Sequence, residues 1–105
     1  MSTSPLIDRR HLDFMLWEVL DAEALARYPR FAAHSRETFD SAIELAHKVA
    51  LDKFLPHNRK NDLNEPKLVD GRVELIPEIG EGVAAYNEAG FCAALAEAER
   101  GGLQL

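Results

Sequence analysis

Two carboxylate–histidine pairs have a spacing that occurs among metal ligands. Asp8 precedes His11, and Glu44 precedes His47, each by three residues. Such a pair is half of the di-iron pattern of four-helix bundles, which also needs inward-pointing glutamates from two further helices. Asp8 is better placed as a helix N-cap, and Glu44 and His47 lie off the apolar stripe of their helix. The sequence therefore predicts no metal site.

Cys92 is the single cysteine of the sequence, so an intrachain disulfide is ruled out. It would act as a nucleophile only if the fold placed it beside His34, His47 or His57. Its apolar neighbours favour a small buried side chain instead. The glycines near residues 80–82 and 101–102 match no phosphate-binding loop. We therefore assign no catalytic, cofactor-binding or metal-binding residue.

Composition limits the classes of function. The chain has 105 residues, 47% of them hydrophobic and 29% charged, which suits one soluble helical domain. A net charge of −6 argues against nucleic acid as a partner, because phosphates require a basic surface. No apolar run approaches the roughly 20 residues of a membrane span, and the N-terminus lacks the pattern of a secretory signal. We expect a cytoplasmic protein.

The longest helical period covers residues 39–62. Ser35 is the expected N-cap, and Glu37 suits the first turn by the helix dipole. Pro56 lacks an N–H donor and clashes with the carbonyl four residues earlier, so the helix either ends before it or continues with a kink. One narrow apolar stripe follows from the spacing of Phe39, Ile43, Ala46, Ala50 and Phe54.

An earlier helix should begin after Asp8 and can extend through Ala26, ending ahead of Pro29. It presents a broad apolar surface for a small domain. Phe14 and Trp17 are expected in the core. The alternative is that part of this surface is covered by another subunit or domain.

The second half of the chain predicts a hairpin and a further helix. The Asp70-Gly71 pair between β-capable residues indicates a two-residue hairpin turn. Pro77 suits the first turn of a helix that Gly90 would end. The helix-favouring run at residues 93–99 can form a fourth helix before Gly-Gly.

These features, in this order, resemble the N-terminal helical region of the acyl-CoA dehydrogenase family. The closest branch has an extra N-terminal helix and includes the 3-methylmercaptopropionyl-CoA dehydrogenase-like enzymes. The resemblance covers most of the chain. It is carried by PLID at 5–8, FMLWEVL at 14–20, FLPHNR at 54–59, Asp62, LVDGRV at 68–73, Pro77, YNEAGF at 86–91 and GG at 101–102. Phe91 departs from it, since the family usually has tryptophan there.

The resemblance implies a fragment of a flavoenzyme of fatty acid metabolism that oxidises an acyl-CoA between Cα and Cβ. In the family a glutamate removes the α-proton and FAD takes a hydride from the β-carbon. The catalytic glutamate and most FAD contacts belong to later domains, so none is transferred to this chain. We expect residues 1–105 alone to bind no FAD and to be inactive.

The predicted fold is mainly α, a bundle of three to four helices with one short β-hairpin. It would be equivalent to part of the acyl-CoA dehydrogenase N-terminal domain. Residues 1–30 would form the extra helix, and residues 35–105 the start of that domain. The resemblance favours a kinked helix that passes Pro56 and ends near Asn61. The alternative to the enzyme fragment is a non-enzymatic helical interaction module. From the apolar surface of the first helix we expect self-association, most simply as a homodimer.

Overall fold

The computed structural model describes residues 4–105; the first three residues of the N-terminal segment lie outside them. The predicted mainly helical fold with one hairpin is confirmed. The contacts divide the chain into two compact units, residues 1–41 and 42–105. The α-helices are α1 (Arg9–Asp13), α2 (Arg36–Val49), α3 (Leu55–Leu63) and α4 (Pro77–Glu88), and the strands are β1 (Lys67–Val69) and β2 (Arg72–Glu74).

Helix α1 begins where the sequence predicts. The Asp8 carboxylate accepts a hydrogen bond from the His11 N–H at 3.1 Å, which satisfies one of the donors that a helix start leaves unpaired. The helix continues as a π-helical segment, Phe14–Val19. The prediction that it could extend through Ala26 is wrong. Asp21 takes a left-handed conformation (φ 47°), which aspartate tolerates better than most residues, and a 3-10 helix, Ala22–Arg27, follows.

Helix α2 has the predicted cap in reciprocal form. The Thr38 N–H donates to the Ser35 hydroxyl at 3.3 Å, and the Ser35 N–H donates to the Thr38 hydroxyl at 2.8 Å. This is the geometry of a capping box with threonine in place of the usual glutamate. Two donors at the helix start are thereby paired.

The helix passes Pro56, as predicted. A π-helical segment, Ala50–Phe54, joins α2 directly to α3. The Leu55 N–H donates to the Ala50 carbonyl five residues earlier, so the backbone gains one residue in the turn that meets the proline. The wider turn accommodates a ring that would clash in a regular α-helix. Helix α3 then ends at Leu63, two residues beyond the expected end.

The hairpin forms as predicted. Asp70 and Gly71 both have positive φ, 50° and 78°, which is the requirement of a type I′ turn. Strands β1 and β2 pair antiparallel, with Leu68 opposite Val73. The sheet has only these two strands within the described residues.

The last helix and the C-terminal segment give one confirmation and one correction. Helix α4 starts at Pro77, and Gly90 (φ 88°) stops it. The prediction of a further helix at residues 93–99 is wrong. The C-terminal segment instead contains two 3-10 turns, Phe91–Ala93 and Ala98–Arg100.

Residues 93–99 do not form an α-helix because several of their carbonyls accept other hydrogen bonds. The carbonyls of Ala93, Ala94 and Ala96 accept N–H groups of the returning chain, from Leu103, Leu105 and Gln104 respectively. Those carbonyls would otherwise serve an α-helix, so the returning chain replaces helical hydrogen bonds with its own.

Apolar side chains are half-buried or exposed throughout the described residues. Among residues 4–105 no apolar side chain is buried, and Gly82 is the only buried residue. Gly82 lies in α4 against the π-helical segment: a Cβ placed on it would stand 3.1 Å from the Lys53 carbonyl oxygen. Helix α4 therefore packs against the π-helical segment that precedes Pro56.

Candidate functional site

An aromatic cluster organises the first unit. The rings of Trp17 and Phe39 stack with centroids 6.2 Å apart. The His34 ring also stacks on Phe39, with centroids 5.1 Å apart. The Arg36 guanidinium lies 5.0 Å from the Trp17 ring centroid, a cation–π distance. The Trp17 indole N–H is enclosed without a hydrogen-bond acceptor. The cluster is a packing centre that joins α2 to the π-helical segment after α1.

The two expected core residues of the first helix, Phe14 and Trp17, differ in solvent exposure. Trp17 is half-buried in the aromatic cluster, as a core residue would be. Phe14 remains 49% exposed, and Leu20 is 65% exposed. The prediction that Phe14 is a core residue is therefore wrong for this chain. Its apolar surface is available to a further domain or subunit.

The hairpin carries the most exposed paired apolar surface of the second unit. Leu68 is 75% exposed and Val73 is 65% exposed, and the two stand directly opposite each other across the strands. Opposite residues of paired strands point to the same face, so they form one apolar face of the hairpin. We call Leu68 and Val73 the hairpin apolar face.

The two carboxylate–histidine pairs lie at the start of helix α1 and within helix α2. Asp8 caps α1 through the backbone of His11, and Glu44 and His47 lie one turn apart on α2. Among residues 4–105 no group of three or more histidine, cysteine, aspartate or glutamate side chains is placed to hold a metal ion.

Cys92 lies in the first of the C-terminal 3-10 turns and is exposed. The expectation that it is a buried small side chain is wrong. Exposure makes the thiol accessible to reagents.

An ion pair joins the end of α3 to the start of α4. The Lys60 ammonium contacts the Glu78 carboxylate. The hydrogen bond from Lys60, together with the carboxylate's own backbone N–H, lowers the pKa of Glu78 below its ordinary value. The pair supports the helix that continues beyond Pro56.

The hairpin apolar face is the feature that sequence reasoning missed. The Asp70-Gly71 pair predicts the turn but does not by itself predict the exposure of Leu68 and Val73. A signal was present: in both strands the apolar residue sits between neighbours that point to the opposite face, and the sequence predicts no third strand to cover it.

No known family, curated protein or solved structure matches this chain. None of the helices among residues 4–105 is long and apolar enough to cross a membrane.

Proposed function

We propose that residues 1–105 form the N-terminal helical part of an acyl-CoA dehydrogenase-like flavoenzyme. The reaction would be the α,β-oxidation of an acyl-CoA with FAD as the hydride acceptor. The observation that supports this most is the passage of the helix through Pro56. Periodicity alone leaves open a helix end before the proline, whereas the resemblance favours a helix that contains it, and the helix does pass Pro56.

The proposed role of the chain is to be scaffold for domains that it does not include. The Phe54–Gly82 contact and the Lys60–Glu78 ion pair hold α3 and α4 together. In the full enzyme, FAD and the acyl-CoA would bind mainly to other domains, and the catalytic glutamate would belong to one of them. Residues 1–105 alone would be inactive, and the enzyme would be cytoplasmic, where an exposed thiol such as Cys92 stays reduced.

The test compares two purified samples. The first is the complete product of the gene that encodes this sequence, and the second is the 105-residue chain. We expect flavin absorbance in the complete product, and bleaching of that absorbance when an acyl-CoA is added without oxygen. The 105-residue chain should be colourless. A flavin-free complete product would contradict the enzyme proposal, and a stoichiometric flavin on the 105-residue chain would contradict the scaffold role.

The second candidate is a helical interaction module that acts by self-association. It is favoured by the exposure of large apolar side chains in both units, including Phe14, Leu20, Leu68 and Val73. Removing such side chains from water is the general driving force for association. The expected state is a homodimer. Sedimentation velocity over a range of concentrations should show a rising sedimentation coefficient; a monomer at every concentration would exclude it.

A further inference from the structure

We propose that the free edge of β2 pairs with β2 of a second copy, giving a four-stranded antiparallel sheet of order β1-β2-β2-β1. The inference rests on the proposed self-association and names the surface that carries it. The two-fold axis would pass beside Val73, so that Val73 stands opposite Val73 of the second copy. The hairpin's register, backbone donors and charges each support this arrangement.

The register decides which backbone groups face outward. Val69 and Arg72 flank the two-residue turn and are its hydrogen-bonded pair. Antiparallel pairs alternate, so Leu68 and Val73 are the non-hydrogen-bonded pair, and their N–H and C=O groups point to the two free edges. Val73 therefore presents a donor and an acceptor to a neighbouring strand. A symmetric Val73–Val73 pair would satisfy both through two hydrogen bonds.

The side chains on the apolar face continue across this junction. Leu68 and Val73 lie on one face of the hairpin, and the two-fold axis places the same pair on the same face of the second copy. The four side chains would form one row across the sheet. Each Val73 would cover its counterpart, which removes from water the surface that the isolated hairpin leaves exposed.

The charges of β2 are complementary to themselves. Its sequence is Arg72-Val73-Glu74, so a two-fold at Val73 sets each arginine opposite the glutamate of the second copy. Within the part of the chain that the structure describes, neither side chain forms an ion pair. Opposite charges directly across antiparallel strands are favourable, and like charges are unfavourable.

The other edge of the hairpin is unsuited to the same pairing. Pro66 stands two residues before Leu68, at the next outward-facing position of β1, and it has no N–H to donate. Proline at this position protects a free strand edge. A two-fold at Leu68 would also set Lys67 opposite an apolar residue, Val69. On the β2 side, Gly71 and Leu75 both retain their donors.

The first experiment is sedimentation velocity of the 105-residue chain and two matched proline variants. Val73→Pro removes the outward donor of β2, and Leu68→Pro removes the outward donor of β1. Neither donor forms a hydrogen bond within the hairpin, so we expect the two variants to destabilise the hairpin to a similar extent. We expect Val73→Pro to raise the dimer dissociation constant about tenfold or more, because two hydrogen bonds are lost. Leu68→Pro should leave it near the wild-type value.

The second experiment exchanges charges. Arg72→Glu alone and Glu74→Arg alone place like charges opposite each other in the dimer, and each should weaken it. The double variant, Arg72→Glu with Glu74→Arg, restores opposite charges at both contacts and should recover much of the lost affinity. Recovery is specific to pairing across the proposed axis, since a general effect of surface charge would not reverse.

A cysteine cross-link provides a direct reading of the axis. In a Cys92→Ser background, Val73→Cys should form an interchain disulfide under a mild oxidant, because paired Cα atoms stand about 5.5 Å apart. Leu68→Cys should not, because its counterpart would lie three strand spacings away, roughly 14 Å.

The outcomes separate the two proposals. A wild-type chain that remains monomeric at every concentration would overturn both self-association and this interface. A dimer that resists Val73→Pro and gives no Val73→Cys cross-link would overturn the interface alone. A contact of this size belongs with weak interfaces below about 1,200 Å², so dimer formation should depend on concentration.

Discussion

Gly82 packs against the ring of Phe54, so closely that a Cβ on Gly82 would lie 3.1 Å from the Phe54 Cε1 atom. The ring belongs to the π-helical segment before Pro56, and the glycine belongs to α4. The contact therefore joins the irregular part of the long helix to the helix that follows the hairpin. It explains why a glycine, a poor helix former, occupies the interior of α4.

Gly82→Ala and Gly80→Ala form a matched pair. Alanine improves helix propensity by about 1 kcal/mol at either position. Apart from its chain neighbours and the nearby backbone of its own helix, a methyl group on Gly80 would meet no atom within 4 Å, so Gly80→Ala should raise the free energy of unfolding by about that amount. At Gly82 the added methyl meets the Lys53 carbonyl and the Phe54 ring, so the gain should vanish or reverse. Urea unfolding measures both; equal stabilisation would contradict the close contact.

Pro56→Ala should stabilise the chain by much less than the roughly 3 kcal/mol that a proline costs inside a regular α-helix. The π-helical segment has already widened the turn that meets the ring. Ala46→Pro, in the regular part of α2, serves as the control and should cost about 3 kcal/mol or more. Urea unfolding of both variants measures the difference. A gain of roughly 3 kcal/mol for Pro56→Ala would show that the proline is strained.

Ser35→Ala should lower the free energy of unfolding by about 1 kcal/mol, because the Thr38 N–H loses the hydroxyl that caps it. Ser41→Ala is the matched control. The Ser41 hydroxyl donates to the Glu37 carbonyl inside the helix, a bond that the backbone does not need. Its loss should be neutral or slightly stabilising. Thermal unfolding followed by circular dichroism distinguishes the two.

Acid should weaken the link between α3 and α4. Lys60 lowers the pKa of Glu78, so the ion pair stabilises the fold above the ordinary pKa of a glutamate and is lost as the pH falls through the lowered value. Lys60→Met should move the pKa of Glu78 back up toward its ordinary value. An NMR titration of the Glu78 carboxyl measures this shift. An unchanged pKa in Lys60→Met would contradict the assigned cause.

Local features of the fold were predictable because their causes lie within a few residues. Asp8 and Ser35 cap the helix starts, Asp70-Gly71 forms the hairpin turn, and Pro77 starts α4. Each depends on the backbone conformation or hydrogen bonding of one short segment, which composition and spacing reveal. The mainly helical class with one hairpin follows from these signals together.

Features that depend on distant contacts needed the tertiary structure. Spacing could not decide whether the helix passes Pro56; a π-helical turn and the packing of Phe54 on Gly82 decide it. The run at residues 93–99 has helical propensity, yet its carbonyls accept N–H groups from the C-terminal segment in place of helical donors. The extent to which Leu68 and Val73 are exposed is likewise given by the structure, where no strand among residues 4–105 covers the hairpin. Propensity is a local energy of about 1 kcal/mol or less per residue, and long-range packing and hydrogen bonds outweigh it.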